Sequence, residues 1–242
     1  MQLARCRGPV AATATSSALR FAGLGRDYGE RPALRDVSFI VDEGATVAVL
    51  GANGAGKTTL LRIACGLLSP TSGDVKVLGH DLPKEAWALR GKVGFLGHQP
   101  MLYSALTVRE NLAYQARLLK VDKARPGELI EVVGLSGRAD EPLRNLSRGM
   151  VQRAAAARAL LADPPLMLLD EPYANLDPAG RELLQPLLED GRTVLVSGHD
   201  PAALLASAER AVGLLKGKLA FEKTAAEVSD ADLDSIYGRR GR

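Results

Sequence analysis

The stretch Gly51–Thr59, with the sequence GANGAGKTT, decides the fold of this chain. It follows the apolar run TVAVLG and precedes the helix-forming run TLLRIACGLL. A glycine-rich loop between a buried strand and a helix lets backbone N–H groups surround a phosphate, which also meets the positive end of the helix dipole. The pattern therefore predicts a phosphate-binding loop whose backbone contacts come from Gly51, Asn53, Gly54, Ala55 and Gly56.

The three side chains that close this loop predict a nucleotide rather than a simple anion. Lys57 would place its charge between the β- and γ-phosphates, and Thr58 would offer its hydroxyl oxygen to Mg²⁺. Thr59 could reach the α-phosphate. The alternative is a plain glycine-rich β-turn, which the strand-loop-helix context makes the weaker interpretation.

A second run, PLMLLDEP, provides the acids that such chemistry needs. A buried strand would deliver Asp170 and Glu171 to the edge of the sheet, where Asp170 can hold Mg²⁺ through water. Glu171 can then polarise the attacking water as a general base. Taken alone, such a run is more often a strand end with solvated acids, and the phosphate loop upstream favours the catalytic interpretation.

Apolar runs along the chain predict an α/β fold. TVAVLG, LMLLDEP and TVLVSGHD lack polar alternation, as expected for parallel strands buried on both faces. LRFAGLGRDYG, LRDVSFIVDEG and GDVKVLGHDL are shorter and indicate an antiparallel patch. From about Gln99 to Arg158 the pattern is helical, with Thr107 and Glu110 placed as a capping box. We therefore expect a P-loop NTPase with a RecA-like parallel core, an antiparallel β patch and an inserted helical subdomain.

The expected organisation has five segments. These are a disordered leader at 1–18, the first part of the nucleotide-binding core at 19–98, the helical subdomain at 99–158, the second part of the core at 159–226, and a C-terminal helix capped by Ser229 with a basic tail at 227–242. The leader has arginines and no acid, so an early start codon or an organelle transit peptide are the alternatives to a disordered extension.

Composition excludes several classes of protein. A net charge of +3 and 4% aromatic residues form a weak nucleic-acid footprint, so no nucleic-acid partner is expected. No apolar run approaches the ~20 residues that cross a bilayer, which favours a soluble or peripheral protein. Cys6 and Cys65 lack metal-site spacing, and Cys65 lies in an apolar helical run typical of a buried thiol in a reducing compartment.

A second anion site is predicted in NLSRGMVQR, the stretch Asn145–Arg153. Ser147 is a good helix N-cap, Gly149 permits close backbone approach, and the helix that follows directs its positive end at an anion. Together with the runs GANGAGKTT, HQP, LMLLDEP, ANLD and SGHD, in that order around it, this stretch resembles the ABC-type ATPases over residues 19 to 220. It departs from the family pattern at Arg148, where a positive φ would be strained, and at Met150, which lacks an amide.

The resemblance implies further roles. Two copies would pair head to tail around ATP and Mg²⁺, with Ser147 and Gly149 contacting the γ-phosphate held by the other copy. Gln99 resembles the glutamine that senses Mg²⁺ and the attacking water, and His199 resembles the histidine that binds the γ-phosphate and orients the general base. The catalytic set would then be Glu171, His199, Gln99 and Lys57, and the metal set Thr58, Gln99 and Asp170. Tyr28 would lie against adenine, and Asp177 would meet the opposite subunit.

The resemblance also implies a partner. A single cassette of this length would energise a separate transmembrane permease from the cytoplasmic face of the inner membrane, with HQPMLYSAL as the docking stretch. Within the family, VGFLGHQPMLYSALTVRENL and LSRGMVQRAAAARALL are most similar to the ATP-binding subunits of haem exporters in cytochrome c maturation. The alternatives are a drug or lipid exporter ATPase, a soluble ABC protein acting on DNA or the ribosome, and a non-hydrolysing nucleotide-binding regulator. Met101, Leu102 and Tyr103 could equally belong to the core.

Overall fold

The computed structural model describes residues 16–174, 176–189 and 191–238. Most of the leader expected at 1–18, including Cys6, lies outside the described residues, and so does the basic tail from 239 to 242. Within the described ranges no helix is both long enough and apolar enough to span a bilayer.

The described residues form strands and helices in alternation. The strands are β1 (Ser17–Tyr28), β2 (Arg31–Asp42), β3 (Thr46–Leu50), β4 (Ser72–Val77), β5 (His80–Leu82), β6 (Val93–Leu96), β7 (Leu166–Asp170), β8 (Thr193–Ser197), β9 (Arg210–Leu215) and β10 (Lys218–Thr224). The α-helices are α1 (Lys57–Ala64), α2 (Val108–Leu119), α3 (Arg125–Val132), α4 (Arg148–Leu160), α5 (Pro178–Glu189), α6 (Pro201–Ser207) and α7 (Asp230–Tyr237).

The main sheet has the strand order β10-β9-β3-β8-β7-β6. Every neighbouring pair is parallel except β9 and β10, which form an antiparallel hairpin. Strands β7 and β8 are buried along their whole length, as parallel strands covered on both faces should be. The three parallel strands predicted from apolar runs are therefore confirmed as β3, β7 and β8.

A second sheet, with the order β2-β1-β4-β5, is antiparallel throughout and confirms the predicted β patch. It packs with α1 against one face of the main sheet, where Val47 and Val49 of β3 join its core. The alternate residues Ala48 and Leu50 face the opposite side and join a second core with the remaining helices. The chain is thus an α/β protein with the P-loop NTPase fold.

The helices of the expected insertion, α2, α3 and α4, lie between β6 and β7. The capping box predicted at Thr107 and Glu110 is present, because each side chain bonds the other residue's backbone N–H. Ser229 caps α7 as predicted. The boundary residues of the five segments stay predictions.

Asn111 joins α2 to the loop that follows β6. Its side chain is 1% exposed, and its Oδ1 accepts a hydrogen bond of 2.8 Å from the backbone N–H of Tyr103. Its Nδ2 donates to the carbonyl oxygens of Tyr103, Leu106 and Thr107 at 3.0, 3.3 and 2.8 Å. One buried amide therefore fixes the shape of the loop that carries Met101 and Tyr103.

We predict that Asn111→Ala lowers the free energy of unfolding by about 1–3 kcal/mol, because it leaves buried backbone groups of this loop without partners. Urea denaturation followed by circular dichroism measures the change. The exposed Asn145 gives the matched control, and Asn145→Ala should change stability far less. Equal midpoints for the two variants would show that the Asn111 network contributes nothing net.

Candidate functional site

Three parallel strands bring their carboxyl ends to one edge of the main sheet. β3 leads into the glycine-rich loop, β7 ends at Asp170, and β8 ends at Ser197, which pairs in register with Asp170. Ligands of open α/β sheets bind at this edge. A cavity of ≈ 470 Å³ lies here and is lined by Ala33, Asn53, Gly54, Gly56, Lys57, Thr58, Thr59, His98, Glu171 and His199.

The backbone of the loop needs glycine at two positions. Gly51 has φ 148°, and a Cβ there would lie 2.5 Å from the carbonyl oxygen of Leu214. Gly56 has φ 109° and precedes the first residue of α1, and a Cβ there would lie 2.8 Å from the carbonyl oxygen of Ala33. A side chain at either position would clash with these carbonyl oxygens and displace the loop. The two glycines are therefore needed for the close approach of the loop to the neighbouring backbone.

Lys57 is the first residue of α1 and is 6% exposed. Its ammonium group donates to the carbonyl oxygens of Gly51 and Ala52 at 2.6 and 3.1 Å. Burial lowers the pKa of this lysine, and the nearby carboxylates of Glu171 and Asp170 act in the opposite direction. A cation is thus held over the loop, between the glycine backbone and two acids, which suits a phosphate chain.

The two acids of β7 differ in their surroundings. Asp170 is 3% exposed, and its Oδ1 accepts a hydrogen bond of 2.6 Å from the Ser197 hydroxyl. Glu171 has φ 56° and donates its backbone N–H to the carbonyl of Ser197 at 3.0 Å. Its Oε1 lies 2.7 Å from Nε2 of His199. The left-handed backbone at a non-glycine residue is a strained geometry of the kind that clusters at functional sites, and here it turns the carboxylate towards the histidine.

The donor set fits Mg²⁺ held mainly by a nucleotide. Within residues 16–238, gaps excepted, no group of three or more His, Cys, Asp or Glu side chains could hold a metal by itself. Mg²⁺ commonly binds through one or two protein oxygens together with substrate phosphates. Thr58 lines the phosphate cavity and has such an oxygen in its hydroxyl. The carboxylate of Asp170, oriented by Ser197, is near enough to Lys57 to act on its pKa.

The second predicted anion site lies in a separate cavity. Ser147 caps α4 by accepting from the backbone N–H of Met150 at 3.3 Å. The cavity of ≈ 490 Å³ around it is also lined by Arg148, Gly149, Met150, Arg153, Leu176 and Asp177. Arg148 is the first residue of α4 and has helical geometry, so the strain considered for it does not arise. Ser147 and the glycine-rich loop do not share a cavity within one chain.

Apart from the residues of the second anion site, five predicted residues do not line the phosphate cavity: Gly51, Ala55, Asp170, Gln99 and Tyr28. Gln99 is exposed in the loop after β6, and its neighbour His98 borders the cavity instead. Tyr28 is the last residue of β1 and is 48% exposed. The guanidinium carbon of Arg26 lies over its ring, 5.0 Å from the ring centroid. The roles given to Gln99 and Tyr28 stay predictions.

Sequence reasoning missed four residues of this region. Ala33 and His98 line the cavity, and Ser197 orients Asp170. Tyr237, at the end of α7, accepts a hydrogen bond of 3.1 Å from the backbone N–H of Gly51. Of these, His98 and Ser197 lie in runs already singled out, HQP and SGHD. A polar residue at the end of an apolar strand could have identified Ser197.

Comparisons with known proteins agree with this geometry. The sequence profile described as ABC transporter matches residues 34–174. A phosphonates import ATP-binding protein of Anaeromyxobacter dehalogenans is 38% identical over 97% of this chain and 51% of its own length. A Nod factor export ATP-binding protein of Rhizobium meliloti is 37% identical over 75% of this chain and 57% of its own length. The chain thus spans little more than half of these two relatives.

One solved structure is similar over most of both chains. It is a dimeric ATP-binding cassette in a post-hydrolysis state bound to ADP and phosphate, with a TM-score of 0.77 and 30% identity, and the match covers 86% of this chain and 98% of that one. The similarity therefore covers most of the fold and not only the loop motif. The chain therefore belongs to the ABC transporter family and has the fold of its ATP-binding subunits.

Proposed function

We propose that this chain hydrolyses ATP to ADP and phosphate, that two copies enclose the nucleotide, and that the cycle drives a separate transmembrane permease. The observation that carries the proposal is the phosphate cavity itself, where Lys57 and the glycine-rich loop face Glu171 and His199. A cation for the phosphates and a carboxylate for water therefore line the same space. That arrangement suits phosphoryl transfer to water.

Each side chain then has a definite task. Lys57 exchanges the carbonyls of Gly51 and Ala52 for phosphate oxygens. Thr58 and Asp170 would hold Mg²⁺, which would supply positive charge to the phosphates. Glu171 accepts a proton as the water oxygen bonds to the γ-phosphorus, and the bond to the bridging oxygen breaks with its electron pair on ADP. His199 holds Glu171 in position through its 2.7 Å contact.

The separate location of the signature residues supports pairing of two copies. Ser147 and Asp177 line one cavity and the glycine-rich loop lines another, so Ser147 reaches a γ-phosphate only if a second chain presents it. The N-terminus of α4 would then place its dipole, its N-cap serine and Arg148 at that phosphate.

Exposed apolar residues favour a membrane partner at one edge of the helical region. Tyr103 and Tyr114 are 54% and 41% exposed and stack edge to face, and Met101 is 39% exposed beside them. We name this set the tyrosine patch. Large exposed side chains grouped together commonly mark a docking surface. A permease docked there would place the chain on the cytoplasmic face of the inner membrane.

Haem export in cytochrome c maturation is our finer proposal for the transported substrate. It rests on the two stretches VGFLGHQPMLYSALTVRENL and LSRGMVQRAAAARALL. The relatives named above transport other compounds, phosphonates and Nod factor. Identifying the membrane protein that copurifies with this chain separates the cases. A permease encoded beside haem-maturation genes supports haem export, whereas a phosphonate or Nod factor permease rejects it.

Glu171→Gln should abolish most turnover, because the amide cannot accept the proton of the attacking water. We expect ATP hydrolysis to fall about 10²- to 10⁴-fold, while ATP binding and ATP-dependent dimerisation persist. Phosphate release and size-exclusion chromatography with ATP measure the two effects. The exposed acid Glu182 gives the control, and Glu182→Gln should hydrolyse ATP normally. Undiminished turnover by Glu171→Gln would reject the general-base role.

Ser147→Asp tests whether the serine acts on the other copy. Aspartate caps helices as well as serine does, so α4 should stay folded, but its carboxylate would repel a phosphate. We expect Ser147→Asp and Lys57→Ala each to be inactive and their equimolar mixture to regain a measurable rate, because a mixed dimer contains one intact site. Thr107→Asp, at the N-cap of α2, is the matched control and should remain active. A mixture as inactive as its components would reject the shared site.

Tyr103→Ala tests the tyrosine patch. When the tagged chain is purified from native membranes, less transmembrane protein should copurify with the variant than with the parent. ATP hydrolysis by the free chain should stay unchanged. Ile40 on β2 is 42% exposed and far from the patch in the fold, so Ile40→Ala is the control. Equal recovery with both variants would place the docking surface elsewhere.

A further inference from the structure

The last part of the described chain makes hydrogen bonds to the backbone of the phosphate loop. We call this part the C-terminal brace and define it as the β9–β10 hairpin and α7. The backbone N–H of Gly217, in the hairpin turn, donates to the carbonyl of Ala55 at 3.1 Å. The backbone N–H of Gly51 donates to the hydroxyl of Tyr237 at 3.1 Å. The glycine-rich loop is therefore bonded to the brace at its first residue, Gly51, and at Ala55.

Gly51 links the brace to the catalytic lysine. Its N–H bonds Tyr237, and its carbonyl accepts a hydrogen bond of 2.6 Å from the ammonium group of Lys57. The carbonyl of Leu214 lies so close to Gly51 that no Cβ fits between them, so the loop rests directly on β9. A rotation of the Gly51 backbone would move the carbonyl that holds Lys57. The tyrosine hydroxyl opposes such a rotation.

Several contacts keep α7 in place. Ser229 caps the helix through a capping box with Asp232, and Ile236 is 1% exposed in the core beneath it. Lys223 on β10 bonds both oxygens of Asp232 at 2.8 Å. This lysine and the cap lower the pKa of Asp232 to about 2, so the ion pair is charged at neutral pH. The helix end that carries Tyr237 is thus anchored independently of the loop.

We propose that Tyr237 is a positioning residue for the nucleotide, acting through Gly51 on the orientation of the phosphate loop. The inference rests on the proposed nucleotide binding and adds a determinant of affinity outside the family motifs. The hydroxyl contacts no phosphate itself. The tyrosine hydroxyl lowers the entropic cost of ordering the loop around a nucleoside di- or triphosphate, because the first peptide of the loop is already fixed before binding.

Tyr237→Phe is the sharpest test, since it keeps the ring in the core and removes the hydroxyl. Binding of N-methylanthraniloyl-ADP with Mg²⁺ to the full chain should weaken about two- to tenfold, the range expected for one hydrogen bond. KM for ATP should rise similarly, while kcat at saturation stays close to the parent value because Glu171 and His199 are untouched. Trp87→Phe, at a side chain that is 76% exposed and has no part in the proposed sites, should leave all three values unchanged.

Asp232→Asn provides a second route to the same effect. It weakens the anchor of α7 without altering any group that contacts Gly51, so nucleotide affinity should fall in the same direction and by less. Parent affinity in Tyr237→Phe, or a fall in kcat with KM unchanged, would overturn the positioning role. Failure of the parent chain to bind the nucleotide would instead overturn the proposed function, and the inference with it.

Discussion

The close contact between the glycine-rich loop and the backbone of β9 is the constraint on which the site depends. Gly51 lies against the carbonyl of Leu214 with no room for a side chain. The position of the loop relative to the sheet is therefore set by its contact with β9. β3 and β9 are parallel neighbours, and Leu50 pairs with Gly213 just before the loop begins. The phosphate-binding geometry is therefore a property of the sheet as much as of the loop.

The same edge of the sheet controls the electrostatics of the site. Strands β7 and β8 end in register, so Ser197 reaches Asp170 and the residues that follow the strands, Glu171 and His199, face one another. Because parallel strands all end on one side, the acids and the lysine lie together at one edge of the sheet. Lys57 experiences both the cost of burial and the attraction of the acids, and burial has the larger influence on its pKa.

The sequence predicts the centre of the fold better than its edges. β3, β7 and β8 are continuous apolar runs, which only burial on both faces explains. The two edge strands escaped prediction, since β6 has four residues and β10 alternates between exposed and half-buried positions with charged residues among them. β9 is interior, but Gly213 interrupts its pattern because the Phe221 ring occupies the space of a side chain there.

The site shows a similar division between local and distant signals. Lys57, Thr58 and Glu171 belong to short motifs whose chemistry depends on neighbouring residues, so spacing alone places them in the cavity. Tyr237 is 186 residues away from Gly51 and lies in an ordinary amphipathic helix. No local pattern encodes that hydrogen bond, because it arises only after β9, β10 and α7 have packed. For the same reason the motif HQP suggested Gln99, while the backbone of the loop presents His98 to the cavity.

Arg148 illustrates how a departure from a family pattern can be accommodated. The family has glycine at this position, yet α4 begins here with helical backbone geometry, so a side chain is tolerated without strain. The arginine lines the cavity of Ser147 and also the neighbouring one bordered by His98. If two copies pair as proposed, its guanidinium adds a full charge to the partial charge of the helix N-terminus, where the family relies on neutral donors. Met150 has no side-chain amide to donate from the same helix turn, so in that pairing Arg148 would be the side chain that donates to the phosphate beside Ser147.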